Sequence, residues 1–185
     1  RLGPVIGAQH TISRNRLKLT AQLAPIGADD VQEAHLEIQR DDQWIRIATT
    51  TIIVPGYTAP FAIDKWESNK TTPYRVVYET YDRSGQLQTT VFTGIIRRDP
   101  VDKQQIVVAG FTGNHNVSHG IGRQPFDWRN GMWFPHQEVS DHVTAHKPDV
   151  LFFSGDQLYE GRSPTFPDTQ NILLDYLYKW YLWSW

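Results

Sequence analysis

The N-terminal half of the chain contains five segments in which apolar and polar side chains alternate with a period of two. In residues 15–23, for example, Leu17, Leu19 and Leu23 fall on one side of an extended chain. Because successive side chains of a β-strand point to opposite faces, this alternation predicts strands that are buried on one face only. The five segments are 15–23, 34–40, 43–54, 73–81 and 87–96.

Turn-forming residues separate these segments at intervals of about ten residues, which is typical of an antiparallel β-sandwich. One such turn is the sequence Asp-Arg-Ser-Gly at 82–85. We therefore expect an all-β domain of about seven strands, in the style of an immunoglobulin or fibronectin type III sandwich. A small β-barrel is the alternative architecture that this pattern allows.

The composition changes between residues 97 and 103. This segment is charged, contains Pro100 and has no apolar periodicity, which is typical of a linker. We therefore divide the chain into a β-sandwich over 1–98, a linker over 99–103 and the first part of an α/β domain over 104–185.

The second domain begins with a predicted strand–helix–strand unit. Continuous apolar runs in 104–111 and 150–153 predict buried strands of a parallel sheet. Between them, Val139, Val143 and the histidines beside them follow helical spacing over 135–146. A unit of this kind has a right-handed crossover.

Residues 172–185 predict a helix that is apolar on nearly every side. The segment is too short to cross a membrane, which takes roughly 20 residues, so no membrane span is expected. A helix that is apolar all round must be covered by other protein. We therefore expect the natural sequence to continue past Trp185 with the rest of the α/β domain.

The bulk composition excludes several kinds of site and partner. The chain has no cysteine, so disulfides and thiolate metal ligands are excluded. Its formal net charge is -2 without a long run of either sign, so it has no signature of nucleic-acid binding. It begins at Arg1 without a signal peptide, and we interpret this start as trimmed.

Polar side chains follow both predicted strands of the second domain. The carboxyl ends of neighbouring parallel strands lie about 5 Å apart at one edge of a sheet, where ligands of α/β proteins bind. Carboxylate, phenolate, amide and imidazole groups together suit a site for two metal ions. The side chains expected to converge there are Asp156, Tyr159, Asn114, His115 and Asn116.

The same residues also allow a purely structural interpretation. Asp156 would then cap a turn, and the asparagines would only tolerate uncommon backbone angles. The residues by themselves favour neither interpretation.

The run SGDQLYEG at 154–161 resembles the GDxxYE block of the alkaline phosphatase D-like enzymes, which belong to the calcineurin-like metallophosphoesterases. The order of an immunoglobulin-like domain, a linker and an α/β domain is similar to theirs along the whole chain. Similarity at the level of motifs covers 104–161 only. The resemblance implies that Asp156 bridges two metal ions and that Tyr159 is a phenolic ligand to one of them.

The resemblance also implies an activity, which is hydrolysis of a phosphomonoester or phosphodiester by a metal-bound hydroxide. The metal ions would be divalent or trivalent, namely Fe, Ca, Mn or Zn. The family further implies an exported protein, in the periplasm, at the cell surface or outside the cell. The later motifs of the family would follow Trp185.

The chain departs from the family at the end of the first strand. Where the family has an Asp-x-His or a Ser-Cys pair, this sequence has Gly110 and Phe111, which cannot bind a metal through their side chains. The missing ligands would come from Asn114, His115 or Asn116. Otherwise the site would hold a single or a different metal ion, or would be degenerate.

Four further residues are weaker candidates. Glu160 could orient a ligand, and Arg162 could bind a phosphate, but solvated or structural roles explain both equally well or better. His142 and His146 have the i, i+4 spacing of zinc ligands, yet half-buried packing beside Val139 is the favoured interpretation.

A different class of function is a non-catalytic protein whose β-sandwich binds a glycan or another protein, with a degenerate phosphatase-like scaffold. An exposed row of Trp44, Trp66 and Tyr57 would favour it. We expect Trp44 and Trp66 to lie mostly in the core instead.

Overall fold

A computed structural model describes residues 3–113, 136–157 and 170–184, with the side chains of the last helix described up to Tyr181. The chain consists of two compact units, 1–101 and 102–185. The boundary between them falls within the segment 99–103, whose composition predicts a linker.

The first unit consists of seven strands in two antiparallel sheets. The strands are β1 Val5–Ser13, β2 Arg16–Leu23, β3 Glu33–Arg40, β4 Gln43–Thr51, β5 Thr58–Asp64, β6 Thr72–Tyr81 and β7 Leu87–Ile96. One sheet has the order β1-β2-β5 and the other β4-β3-β6-β7. The predicted mostly-β character and the strand number are confirmed for this part of the chain.

The alternating pattern buries one face of each sheet in a shared core. In β2, Leu17 and Leu19 are fully buried, whereas Arg16 and Lys18, which alternate with them, are exposed. Leu36 of β3 and Val76 of β6 belong to the same apolar cluster, although they come from the other sheet. Burial of apolar surface between the sheets is therefore the main stabilising term of this unit.

The alternating pattern misses β1 and β5. In β1 the pairing with β2 shifts between Val5 and Gly7, so the period of two is interrupted, and one inward position is the polar His10. β5 contains Pro60, which normally argues against a strand. Proline is tolerated here because β5 is the edge strand of its sheet.

The predicted turn at 82–85 joins β6 to β7. The Asp82 carboxylate accepts hydrogen bonds from the Ser84 hydroxyl at 2.6 Å and from the Gln86 N–H at 3.0 Å. These bonds hold the pKa of Asp82 below its ordinary value. Gly85 has a φ of 78°, which glycine adopts at little cost.

The described part of the second unit contains a parallel pair of short strands, β8 Val108–Phe111 and β9 Val150–Phe153, and two helices, α1 Gln137–Ala145 and α2 Ile172–Ser184. The predicted strand at 150–153 and both predicted helices are confirmed. The first predicted strand is shorter than expected, because residues 104–107 are not part of it.

The prediction that these strands are buried is wrong for the described structure. Val108 is 57% exposed, and Leu151 and Phe152 are 55% and 58% exposed. The sheet has only two strands within the described residues, and no residue of α1 is buried. Among the described side chains of α2, only Leu177 and Lys179 are buried, and five apolar side chains of this helix are 38% to 83% exposed.

No helix within the described residues is long and apolar enough to cross a membrane.

Candidate functional site

The candidate site lies at the edge of the second unit where β8 and β9 both end. The two strands pair in parallel, with Val108 opposite Val150 and Phe111 opposite Phe153. The strands are therefore adjacent, as the predicted convergence of their loops requires, and the chain leaves both of them at the same edge. This edge is the usual position of ligand sites in α/β proteins.

Polar and aromatic contacts join the two strand ends. The backbone N–H and the side-chain hydroxyl of Ser154 both donate to the carbonyl oxygen of Phe111, at 3.0 and 3.2 Å. The rings of Phe111 and Phe153 stack with their centroids 4.9 Å apart and an interplanar angle of 14°. These contacts hold the carboxyl ends of β8 and β9 at a fixed separation.

Asp156 follows this anchored end directly. Gly155 has a φ of 129°, a conformation that only glycine adopts readily, and Asp156 itself has a φ of 54° in the left-handed region. Two consecutive positive φ angles turn the chain away from the direction of β9. The Asp156 side chain is exposed at the edge of the sheet.

The other predicted site residues cannot be placed beside Asp156. Asn114, His115, Asn116, Tyr159, Glu160 and Arg162 all lie outside the described residues. Their convergence on Asp156 therefore stays a prediction. The nearest described residue of the first loop is Gly113, whose φ of 66° shows that this chain also turns soon after its strand.

The described residues do not by themselves form a metal site. No group of three or more histidine, aspartate or glutamate side chains comes together in 3–113, 136–157 or 170–184. At the end of β8, Gly110 has no side chain and Phe111 packs against Phe153. Of the predicted ligands, only Asp156 lies within the described residues. A metal ion bound there would need residues of the two loops as further ligands.

A second carboxylate, Asp149, flanks β9 at the opposite edge, and the sequence pattern does not single it out. Its side chain is only 3% exposed. It accepts hydrogen bonds from the Lys103 ammonium and from the Val107 N–H, the latter at 3.1 Å. Asp149 therefore ties the start of β9 to the segment before β8, while Asp156 at the other end is turned towards solvent.

The histidines of α1 do not behave as predicted. His142 and His146 are exposed and Val139 is 51% exposed, whereas Val143 is half-buried, so the predicted half-buried packing is found for Val143 and not for the histidines. His136 immediately precedes the helix, and burial lowers its pKa.

The aromatic residues named for a binding sandwich do not form an exposed row. Trp66 is 6% exposed and belongs to the core, as predicted. Trp44 is half-buried on the outer face of its sheet, where the Arg75 guanidinium lies 4.6 Å above its ring, so its assignment to the core is wrong. Its position follows from pairing with Gln39, on the face opposite Ile38.

In comparisons with known proteins, no protein-family model and no curated protein matches this chain.

Proposed function

We propose that the chain belongs to a metal-dependent phosphoric ester hydrolase similar to the alkaline phosphatase D-like enzymes. The observation that supports this proposal best is the position of Asp156. It is an exposed carboxylate immediately beyond the end of β9, at the edge from which the partner strand β8 also sends its loop. The family motif expects its metal-bridging carboxylate at such a position.

In this proposal Asp156 holds the metal ions together with loop residues on both sides. The proposed partners are Tyr159, Asn114, His115 and Asn116, with Glu160 and Arg162 nearby. One or two ions of Fe, Ca, Mn or Zn would supply Lewis-acid activation of water and neutralise charge on the phosphoester. Gly155 permits the backbone turn that brings the Asp156 carboxylate to the edge.

The proposal includes a finer description of the first unit, as an immunoglobulin or fibronectin type III-like β-sandwich. Two antiparallel sheets that share one apolar cluster support it. The sheets of three and four strands also agree in size with such domains.

The test of the hydrolase proposal is a substitution that removes the charge but keeps the shape of the ligand. Asp156→Asn should lower hydrolysis of phosphomonoesters and phosphodiesters by the full-length protein, supplied with Mn, Fe, Ca or Zn, by about 100-fold or more. Asp141→Asn changes an exposed carboxylate of α1 and should leave the activity unchanged. Equal activity of both variants, or no activity with any of the four metals, would contradict the proposal.

A non-catalytic binding protein is the second candidate, and one observation favours it. Four apolar side chains, on β7 and at the end of β6, are 46% to 58% exposed. They lie on the face of their sheet that is opposite the core. They are Tyr81, Leu87, Val91 and Ile95. Binding of the intact chain to a glycan array, combined with no hydrolysis under any metal, is the result that this candidate predicts.

A further inference from the structure

A cleft of about 600 Å³ lies in the first unit, beside the turn that connects β1 to β2. It is far in sequence from Asp156 and lies in the other unit of the chain. Its lining residues come from β1, β2, the end of β5 and the segment that follows β5. They are Thr11, Ser13, Arg14, Asn15, Arg16, Lys18, Asp64, Lys65 and Trp66.

The charge of this cleft is opposite to that of the whole chain. Its lining contains four cationic side chains and one carboxylate, which leaves a local net charge of +3, whereas the chain carries -2. Asp64 compensates Arg16, because its carboxylate lies 3.2 Å from Arg16 Nε. Arg14, Lys18 and Lys65 remain as a concentrated positive field in a concave surface, which attracts anions.

Strand register places hydroxyl groups beside the cations. Ser13 lies opposite Arg16, and Thr11 lies opposite Lys18. These pairs are on the outer face of the sheet, because Leu17 and Leu19 occupy the alternate, buried positions. The cleft thus combines charge with neutral hydrogen-bond donors.

Trp66 also lines the cleft and carries an indole N–H. The residue is only 6% exposed, and its indole Nε1 is a buried donor for which the described residues provide no acceptor. Its backbone N–H donates to the Asn15 carbonyl oxygen at 2.8 Å, which fixes Trp66 against the β1–β2 turn. A buried donor without an acceptor is unfavourable, and an anion that reached it would remove that penalty.

We propose that this cleft binds an oxyanion group of the size of a phosphate or a sulfate. Arg14, Lys18 and Lys65 hold the group by charge, and the Trp66 indole N–H donates to one of its oxygens. The site is independent of the proposed hydrolase activity, and each can fail without the other.

The experiment is a titration of the ¹⁵N-labelled chain, followed by the indole N–H resonances. The ligands are sodium phosphate, sodium sulfate and glucose 6-phosphate at constant ionic strength, with sodium chloride as the reference. Trp66→Phe identifies the Trp66 resonance. We expect this resonance to shift saturably with at least one of the oxyanions and not with chloride. Tighter binding of phosphate than of sulfate assigns a phosphate group to the site, and the reverse order assigns a sulfate group.

The paired substitutions Arg14→Gln and Lys18→Gln should weaken binding about tenfold, since each removes one exposed cation. The matched control removes two cations that do not line the cleft, through Arg83→Gln and Lys147→Gln, and should leave the affinity unchanged. Asp64→Asn should strengthen binding about two- to threefold, because it removes the only anion of the lining. An unshifted Trp66 resonance with every oxyanion, or an equal loss of affinity in the control, would overturn the proposal.

Discussion

The two units of this chain use similar amounts of apolar sequence in opposite ways. In the first unit, apolar side chains of two sheets are buried against each other, and Leu36 and Val76 have no exposed surface. In the second unit, the apolar side chains of β8 and β9 are about half exposed. The same kind of residue is therefore a stabilising core element in one unit and an exposed surface in the other.

The difference shows that an apolar run stabilises a fold only when a second layer covers it. The first unit has two layers, each with enough strands to exclude water from the space between them. The described part of the second unit has two strands, whose ends are instead joined by polar contacts of Asp149 and Ser154. Substitutions in both units test this contrast.

Truncation of one leucine in each unit should give the largest difference. Leu36→Ala should lower the free energy of unfolding of the first unit by about 2–5 kcal/mol, because the side chain is completely buried. Leu151→Ala changes a side chain that is 55% exposed and should cost less than about 1 kcal/mol. Urea unfolding followed by circular dichroism measures both. A similar cost for the two variants would show that β9 is buried in solution.

The same contrast explains how much of the fold could be predicted from the sequence. Strands such as β2 were predictable because burial on one face imposes alternation on the sequence. β1 and β5 were missed because a shift of register and Pro60 interrupt that alternation. Burial of β8 and β9 was predicted wrongly. An apolar run indicates that other protein must pack on the segment, but it does not show where that packing element lies.

Glycine positions give a second comparison of the two units. A Cβ atom at Gly94 of β7 would lie 2.6 Å from ring atoms of Tyr74, which is buried in the core. Gly94→Ala should therefore cost about 1–3 kcal/mol through overpacking. At Gly110 of β8 a Cβ would meet no atom within 4 Å, and Gly110→Ala should be neutral or stabilise by up to about 1 kcal/mol. Thermal unfolding of both variants checks this, and a destabilised Gly110→Ala would indicate a covered β8.

Of the candidate site, the sequence predicted where Asp156 lies along the fold, while its role stays a prediction. The pattern of a short apolar run followed by Ser, Gly and Asp correctly placed Asp156 just beyond a parallel strand. The role of Asp149 was not predictable, because an aspartate before a strand is usually a turn residue. Its partner Lys103 is distant in sequence, and only the folded chain brings the two together.

The polar contacts of Asp149 provide the third comparison. Asp149→Asn removes the charge that binds Lys103, and should destabilise the β8–β9 pair by about 1–2 kcal/mol. Amide exchange at Val150 and its neighbours should then become about 5- to 30-fold faster, while strands of the first unit keep their protection. Glu67→Gln is the control, since it breaks an exposed pair with Lys70 and should change no exchange rate measurably. Unchanged exchange in Asp149→Asn would mean that other contacts hold the strand pair.

The smallest expected effect is a change of pH dependence in the first unit. His10 is half-buried on the inner side of β1, where its ring meets the Tyr74 ring edge-on with centroids 6.3 Å apart. Burial lowers its pKa below the ordinary value of 6.5. Between these two pKa values the unfolded chain binds the proton and the folded chain does not, so stability is complete above pH 6.5 and falls as the pH decreases.

His10→Leu should remove this part of the pH dependence while it keeps an inward-facing side chain of similar size. The free energies of unfolding of the two proteins, measured in urea from about pH 7.5 to about pH 5, should therefore diverge as the pH falls, with the wild type losing more. The exposed carboxyl groups Glu67 and Asp82 also have lowered pKa values, but they are present in both proteins and cancel in the difference. Parallel pH curves would show that His10 is solvated in the folded as well as in the unfolded protein. The inner face of β1 would then be exposed to water, as the side chains of β9 are.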